Sequence, residues 1–159
     1  MLAQDAAKDG LGPTCTDERA YVPETPEAWF AGSTTAMAVT EDIVFSKHMI
    51  RFGNGSVAPL RYLGNVKKDS PGEFGGFYDL QCVAFYAFEP PFTKRLRRGN
   101  ALCGPMKTGP EPARPAVYLA AALAKNGKTL DVVFYGNGAS SILLSPFSGE
   151  LCGSFGYIK

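Results

Sequence analysis

From residue 41 onward, apolar and polar positions alternate with a period of two, and turn chemistry interrupts the pattern at short intervals. Ile43-Val44-Phe45 predicts a short strand, Ser46-Lys47-His48 a tight turn, and Met49-Ile50-Arg51-Phe52 the returning strand. Gly53-Asn54-Gly55-Ser56 is a hairpin signal, because Asn-Gly accepts the positive φ that such turns need. Val57 to Leu63 follows as a strand that Pro59 demotes to an edge or a bulge. In Phe77 to Phe88, one face carries Leu80, Cys82, Ala84, Tyr86 and Phe88, and the other Phe77, Gln81, Val83 and Phe85. Both faces are mostly apolar, which predicts a central strand, and Glu89-Pro90-Pro91 is expected to end it.

A second hairpin joins Val117–Leu123 to Thr129–Tyr135 through Asn126-Gly127-Lys128. The alanines at 120 to 122 favour helix by propensity, but the Asn-Gly turn and the β-branched return strand outweigh them. Leu151 to Ile158 predicts a final strand, with Leu151, Phe155 and Tyr157 toward one side. Ala101-Leu102-Cys103 and Ile142-Leu143-Leu144 read as short strands within Gly-, Pro- and Ser-rich connections, and Pro105 to Pro115 as an extended one. Residues 1 to 41 show no sustained period. Residues 1–14 are expected to be a flexible segment, and 15–159 a single β domain. Glu24-Thr25-Pro26-Glu27-Ala28-Trp29 predicts a short helical turn, with Thr25 as cap and Pro26 at the first helical position. The expected fold class is all-β and mainly antiparallel: a small barrel, with a sandwich of two packed sheets equally open.

At 159 residues and 45% hydrophobic content, the chain can bury one sizeable core. Its net charge of +1 supplies no global field toward nucleic acid or anionic lipid. No stretch approaches the ~20 apolar residues of a membrane-spanning helix. Cys15, Cys82, Cys103 and Cys152 are widely spaced without a C-x-x-C, which reads as a disulfide framework and not a metal or redox site. Met1-Leu2-Ala3-Gln4-Asp5 reads as a start Met on a mature N-terminus, so the expected location is periplasmic or secreted. Of three possible pairings, Cys103–Cys152 with Cys15–Cys82 is favoured. The words Leu102-Cys103-Gly104 and Leu151-Cys152-Gly153 lie near β segments that adjacent strands would bring to bonding distance.

Reactive chemistry is sparse. His48 is the one histidine and reads as an exposed turn residue, so no metal or other cofactor is expected. Ser140, Ser141 and Ser148 lack a G-x-S-x-G elbow and a base other than His48. Asp79 interrupts an apolar run, but a residue at a strand end explains it. The expectation is a non-enzymatic protein. Lys94-Arg95-Leu96-Arg97-Arg98 places four cations in five residues. It is either a solvated loop or a patch for an anionic envelope component or an acidic protein face. Nucleic acid is not expected, because stacking aromatics are not interleaved with these cations.

The C-terminal half, from Leu102-Cys103-Gly104 through Val117-Tyr118-Leu119 and Val133-Phe134-Tyr135-Gly136 to Leu151-Cys152-Gly153-Ser154-Phe155-Gly156-Tyr157, looks like small disulfide-bonded periplasmic β proteins of Gram-negative bacteria. In plan the chain is also similar to the periplasmic lysozyme inhibitors, which insert a loop into a hydrolase cleft. That family carries a Ser-Gly-x-x-Tyr-type loop and a Lys-Gly-containing strand. Here Ser70-Pro71-Gly72-Glu73-Phe74 is a distorted echo of the first, and Phe92-Thr93-Lys94-Arg95 lacks the glycine of the second. The resemblance implies a binding protein that meets a lysozyme or another peptidoglycan hydrolase through Gly-rich loops 68–76 and 136–149. The contact candidates are Ser70, Glu73 and Phe74, together with Lys94, Arg95, Arg97 and Arg98. The alternative is a barrel that carries a small apolar ligand or envelope lipid, lined by Phe85, Tyr86, Phe88, Phe134 and Tyr135.

Overall fold

The computed structural model describes residues 19–67, 82–103, 114–124, 126–136 and 151–159. Eight antiparallel strands close into a barrel in which each pairs with the next in sequence and the last returns to the first. They are β1 (Glu27–Ala31), β2 (Ile43–Ser46), β3 (Met49–Arg51), β4 (Val57–Lys67), β5 (Cys82–Phe92), β6 (Ala116–Leu123), β7 (Thr129–Tyr135) and β8 (Leu151–Ile158). A short helix, α1 (Thr34–Ala38), links β1 to β2, and a 3₁₀ turn (Arg97–Gly99) follows β5. The fold is therefore the barrel and not the sandwich.

Alternation along the strands decides what lies inside. Ala84, Tyr86 and Phe88 of β5, Val132 and Phe134 of β7, and Phe155 and Tyr157 of β8 join one buried core with Trp29, Phe45 and Phe52. Its rings touch in sequence: Phe45 lies 5.4 Å from Tyr86, Phe88 6.1 Å from Phe134, and Phe134 5.1 Å from Phe155. An eight-stranded barrel is just wide enough for side chains to fill. Val83, Phe85, Ala120, Ala122, Val133 and Tyr135 form a second buried cluster. It sits on the opposite face of β5, β6 and β7. Strand β5 is thus buried on both faces, as its sequence predicts. Phe85 and Tyr135, expected among the interior rings, belong instead to the outer cluster, because they alternate with Tyr86 and Phe134.

The ladder is uneven around the barrel. Strands β4 and β5 pair continuously apart from one bulge, from Leu60↔Phe88 to Lys67↔Cys82, whereas β1 meets β8 through Phe30↔Ile158 and Ala31↔Tyr157. Residues 19–21 wedge in where β6 runs past the end of its pairing with β5 at Ala84↔Ala121: Tyr21 N–H donates to Ala121 O at 3.3 Å and Leu123 N–H to Arg19 O at 2.7 Å.

Two expectations are corrected and a third is met in part. Glu27–Ala31 is a strand and not a helical turn, because burial alternates around Trp29, which is 1% exposed. The helix comes one loop later, where Ser33 Oγ accepts from Ala36 N–H at 3.1 Å as its N-cap. Glu89-Pro90-Pro91 does not end β5. The strand runs to Phe92, and its pairing with β6 jumps from Ala87↔Tyr118 to Phe92↔Ala116, so the prolines lie where the ladder asks for no N–H. The strand that holds Pro59 is not an edge but is bulged, although the bulge does not fall at the proline. Pro59 pairs in register with Met49, and the bulge in β4 falls between Tyr62 and Gly64.

Cys103 and Cys152 form the expected disulfide, with Cα atoms 4.6 Å apart. Cys82 is also disulfide-bonded. Cys15, its expected partner, lies outside the described residues. Among the described residues no helix is long and apolar enough to cross a membrane. Strands β1, β2 and β3 have five, four and three residues, against about 9–11 for a spanning strand, and the apolar interior is the reverse of a membrane barrel's polar lumen.

Candidate binding surface

The basic run after β5 folds into a tight turn against α1. Its backbone closes through Leu96 N–H to Asn100 O at 2.6 Å and Asn100 N–H to Arg97 O at 3.0 Å. Leu96 is buried and pins the turn to the core. The C-terminal carbonyls of a helix lack intrahelical partners. Here Arg97 Nη1 donates to Met37 O at 2.9 Å and Asn100 Nδ2 to Ala38 O at 3.0 Å, while the Arg97 backbone N–H reaches Val39 O at 3.4 Å. The Arg97 guanidinium also lies 3.8 Å from the Glu41 carboxylate. Arg95 turns back on its own loop and donates to Gly99 O at 2.9 Å.

The four cations therefore divide. Arg95 and Arg97 fix the turn, and Lys94 and Arg98 project as exposed charges. Arg98 sits in the left-handed region at φ 54 and is exposed. The disulfide at Cys103 ties the end of this segment to β8. Ser70, Glu73 and Phe74 lie outside the described residues, as do 137–150 of the second Gly-rich loop.

The opposite rim is closed by a hydrogen-bonded cluster. Tyr21 Oη donates to the Glu27 carboxylate and accepts from Trp29 Nε1–H at 2.8 Å, and Tyr86 Oη donates to Tyr21 O at 2.6 Å. Burial, then the Glu27 carboxylate, push the Tyr21 phenol well above the usual tyrosine range. Lys159 Nζ lies 3.7 Å from Glu27 Oε1 and 4.4 Å from the centroid of the Trp29 ring. The buried Tyr21 and Tyr86 hydroxyls and the Trp29 indole N–H are thus all hydrogen-bonded at this rim. On the outer face of β7, burial raises the half-buried Asp131 carboxyl to about 6. His48 is exposed in the β2–β3 turn, and its backbone carbonyl accepts from Leu60 N–H at 2.9 Å. Among the described residues, no three His, Cys, Asp or Glu side chains gather as a metal site would require.

A further surface was not legible in the sequence. The registers Ala28↔Val44, Val44↔Arg51 and Arg51↔Val57 set four residues in one row across the outside of β1 to β4. Phe30 stands two residues along from Ala28 on the same face and pairs with Ile158. Ala28, Phe30, Asp42, Val44, Arg51 and Gly53 line a groove of about 310 Å³ on this side. Alternation within each strand hints at which residues face outward, but only the register brings them together.

Comparison of the chain with protein-family models, with curated proteins and with solved structures gave no match.

Proposed function

We propose that the protein is a non-enzymatic binding protein of an oxidising, extracytoplasmic compartment. Its partner is a peptidoglycan hydrolase such as a lysozyme, met by the basic turn at 94–98. The observation that carries this reading is the division of the cations: Arg97 is spent on the α1 carbonyls, and Lys94 and Arg98 are thereby held out on a fixed turn. Glycoside hydrolases work with a pair of carboxylates in a cleft, and a rigid cationic turn complements that charge. Preorganisation by the helix contacts and the disulfide lowers the ordering cost of binding. Tyr135 and Leu151, from which the second Gly-rich loop leaves and to which it returns, lie toward the Phe92 end of β5 like the basic turn, whereas the connection that holds Ser70, Glu73 and Phe74 leaves from the other end, at Lys67↔Cys82.

The ring-on-ring packing of Phe45, Tyr86, Phe88 and Phe134 favours this reading over a carrier of a small apolar ligand, since a guest would need the space those rings occupy. The test is stoichiometric inhibition of lysozymes and other wall hydrolases by the oxidised protein. The Lys94→Ala/Arg98→Ala double variant is expected to bind about tenfold more weakly at low salt, with unchanged thermal stability. Absence of inhibition by the wild-type protein at molar excess, across hydrolase classes, would refute the proposal.

A further inference from the structure

The outer groove of β1 to β3 combines features that the basic turn does not use. Phe30 is 59% exposed, Ile158 47% and Val57 46%, and Phe30 and Ile158 are direct cross-strand neighbours. Exposed apolar side chains that cluster in this way mark interaction surfaces. Arg51 lines the groove with Phe30, and its side chain is exposed and, among the described residues, makes no hydrogen bond or ion pair. Its row neighbours Val44 and Val57 are apolar. Asp42, the carboxylate of the groove, accepts from Ala31 N–H at 2.9 Å through Oδ1 and forms no ion pair with Arg51. The groove therefore offers an apolar wall and an unspent guanidinium a short distance apart.

We infer that this groove docks an extended segment of a partner protein, with an aromatic or large aliphatic side chain against Phe30 and Val44 and a nearby carboxylate on Arg51. Charge complementarity selects the acidic residue, because Arg presents a planar fork matched to a carboxylate. Size selects a peptide anchor over a lipid chain. A volume of about 310 Å³ sits at the small end of ligand pockets, room for a bulky side chain and not for an extended acyl tail. Anchors of this kind, aromatic and Arg-centred, carry most of the energy of protein interfaces. The inference stands on β1 to β3 and is independent of the hydrolase reading.

The experiment is selection of phage-displayed random peptides on the immobilised protein, followed by titration of the selected peptides against wild type, Arg51→Gln and Phe30→Ser. Both positions are exposed, so thermal unfolding of the variants should match wild type. Selected peptides are expected to carry Phe, Trp or Leu within two residues of Asp or Glu, and to bind each variant about tenfold more weakly. They should also shift the backbone amide resonances of Phe30, Val44 and Gly53. Selection of no peptide, or of peptides that bind both variants as well as wild type, would overturn the inference. So would dodecanoate binding that Arg51→Gln abolishes while no peptide is selected, which would assign the groove to a lipid anion. Concentration-dependent dimerisation abolished by Phe30→Ser would assign it to a second copy of the chain.

Discussion

Asp131 faces outward from β7, between Ala122 of β6 and Gly156 of β8. Gly156 stands directly beside it, and a Cβ built there would come into ordinary van der Waals contact with Asp131 Oδ1, at 3.4 Å. Burial, without a cation to offset it, raises the carboxyl from 3.8 to about 6. Between those values the folded chain holds a proton that the unfolded chain has released. Stability therefore falls as pH rises through that window, and the loss is complete above it. Asp131→Asn is expected to stabilise the protein by about 1–2 kcal/mol near pH 8, a figure discounted for partial exposure, and to make little difference near pH 3. Urea unfolding at the two pH values checks this, and an equal effect at both would show that the carboxyl is ionised throughout. The two glycines of the β3–β4 turn carry a different lesson at this scale. Gly55, at φ 91, does what its Asn-Gly word announces. Gly53 is needed for a reason no local word contains, since a Cβ there would lie 2.5 Å from Glu41 Cβ.

At the scale of elements, the segment from the end of β5 to Cys103 leaves the main ladder. Its last residue bridges Arg114 and bonds covalently to Cys152, 49 positions away in sequence. Closing a loop of that length restricts the unfolded chain more than the folded one. The Cys103→Ser/Cys152→Ser variant should accordingly lose about 2–4 kcal/mol. Its urea midpoint measures this, and an unchanged midpoint would mean that the turn and α1 hold the segment unaided. The strands from β2 to β8 were largely legible, because period-two alternation and Asn-Gly turns are local signals. Strand β1 was not, since Thr25-Pro26-Glu27 imitates a helix start and only the burial of Trp29 against Tyr21, itself packed on Phe45, overrides it. The continuation of β5 through Pro90 and Pro91 was hidden for a similar reason: the gap in β6 pairing that accommodates them is a tertiary fact. Of the candidate surface, the charge run could be read, but the work of Arg97 could not, because the Met37 carbonyl it caps lies 60 residues away.

For the whole molecule, the uneven ladder implies uneven stability. Strands β5, β6 and β7 are paired along most of their length and buried on both faces, whereas β1, β2 and β3 are short and present exposed side chains on their outer face. Amides of Ala84–Ala87 and Val132–Phe134 should exchange with solvent slowest, at rates set by global unfolding, and those of Ile43–Arg51 faster through local opening. Hydrogen exchange followed residue by residue decides this, and uniform protection around the barrel would contradict it.

The seam at Phe30↔Ile158 and Ala31↔Tyr157 joins strands from opposite ends of the described chain. It is the pairing with the greatest loop to close, so it is expected to form last, after the sheet from β1 to β8 has assembled as an open ribbon. Until then β1 and β8 both present free edges, and each can meet the complementary edge of another molecule. Two chains in which β1 of each meets β8 of the other would form the same hydrogen bonds that close the single barrel. Refolding at high protein concentration is therefore expected to yield some reciprocal dimer beside the monomer, which size-exclusion chromatography would resolve.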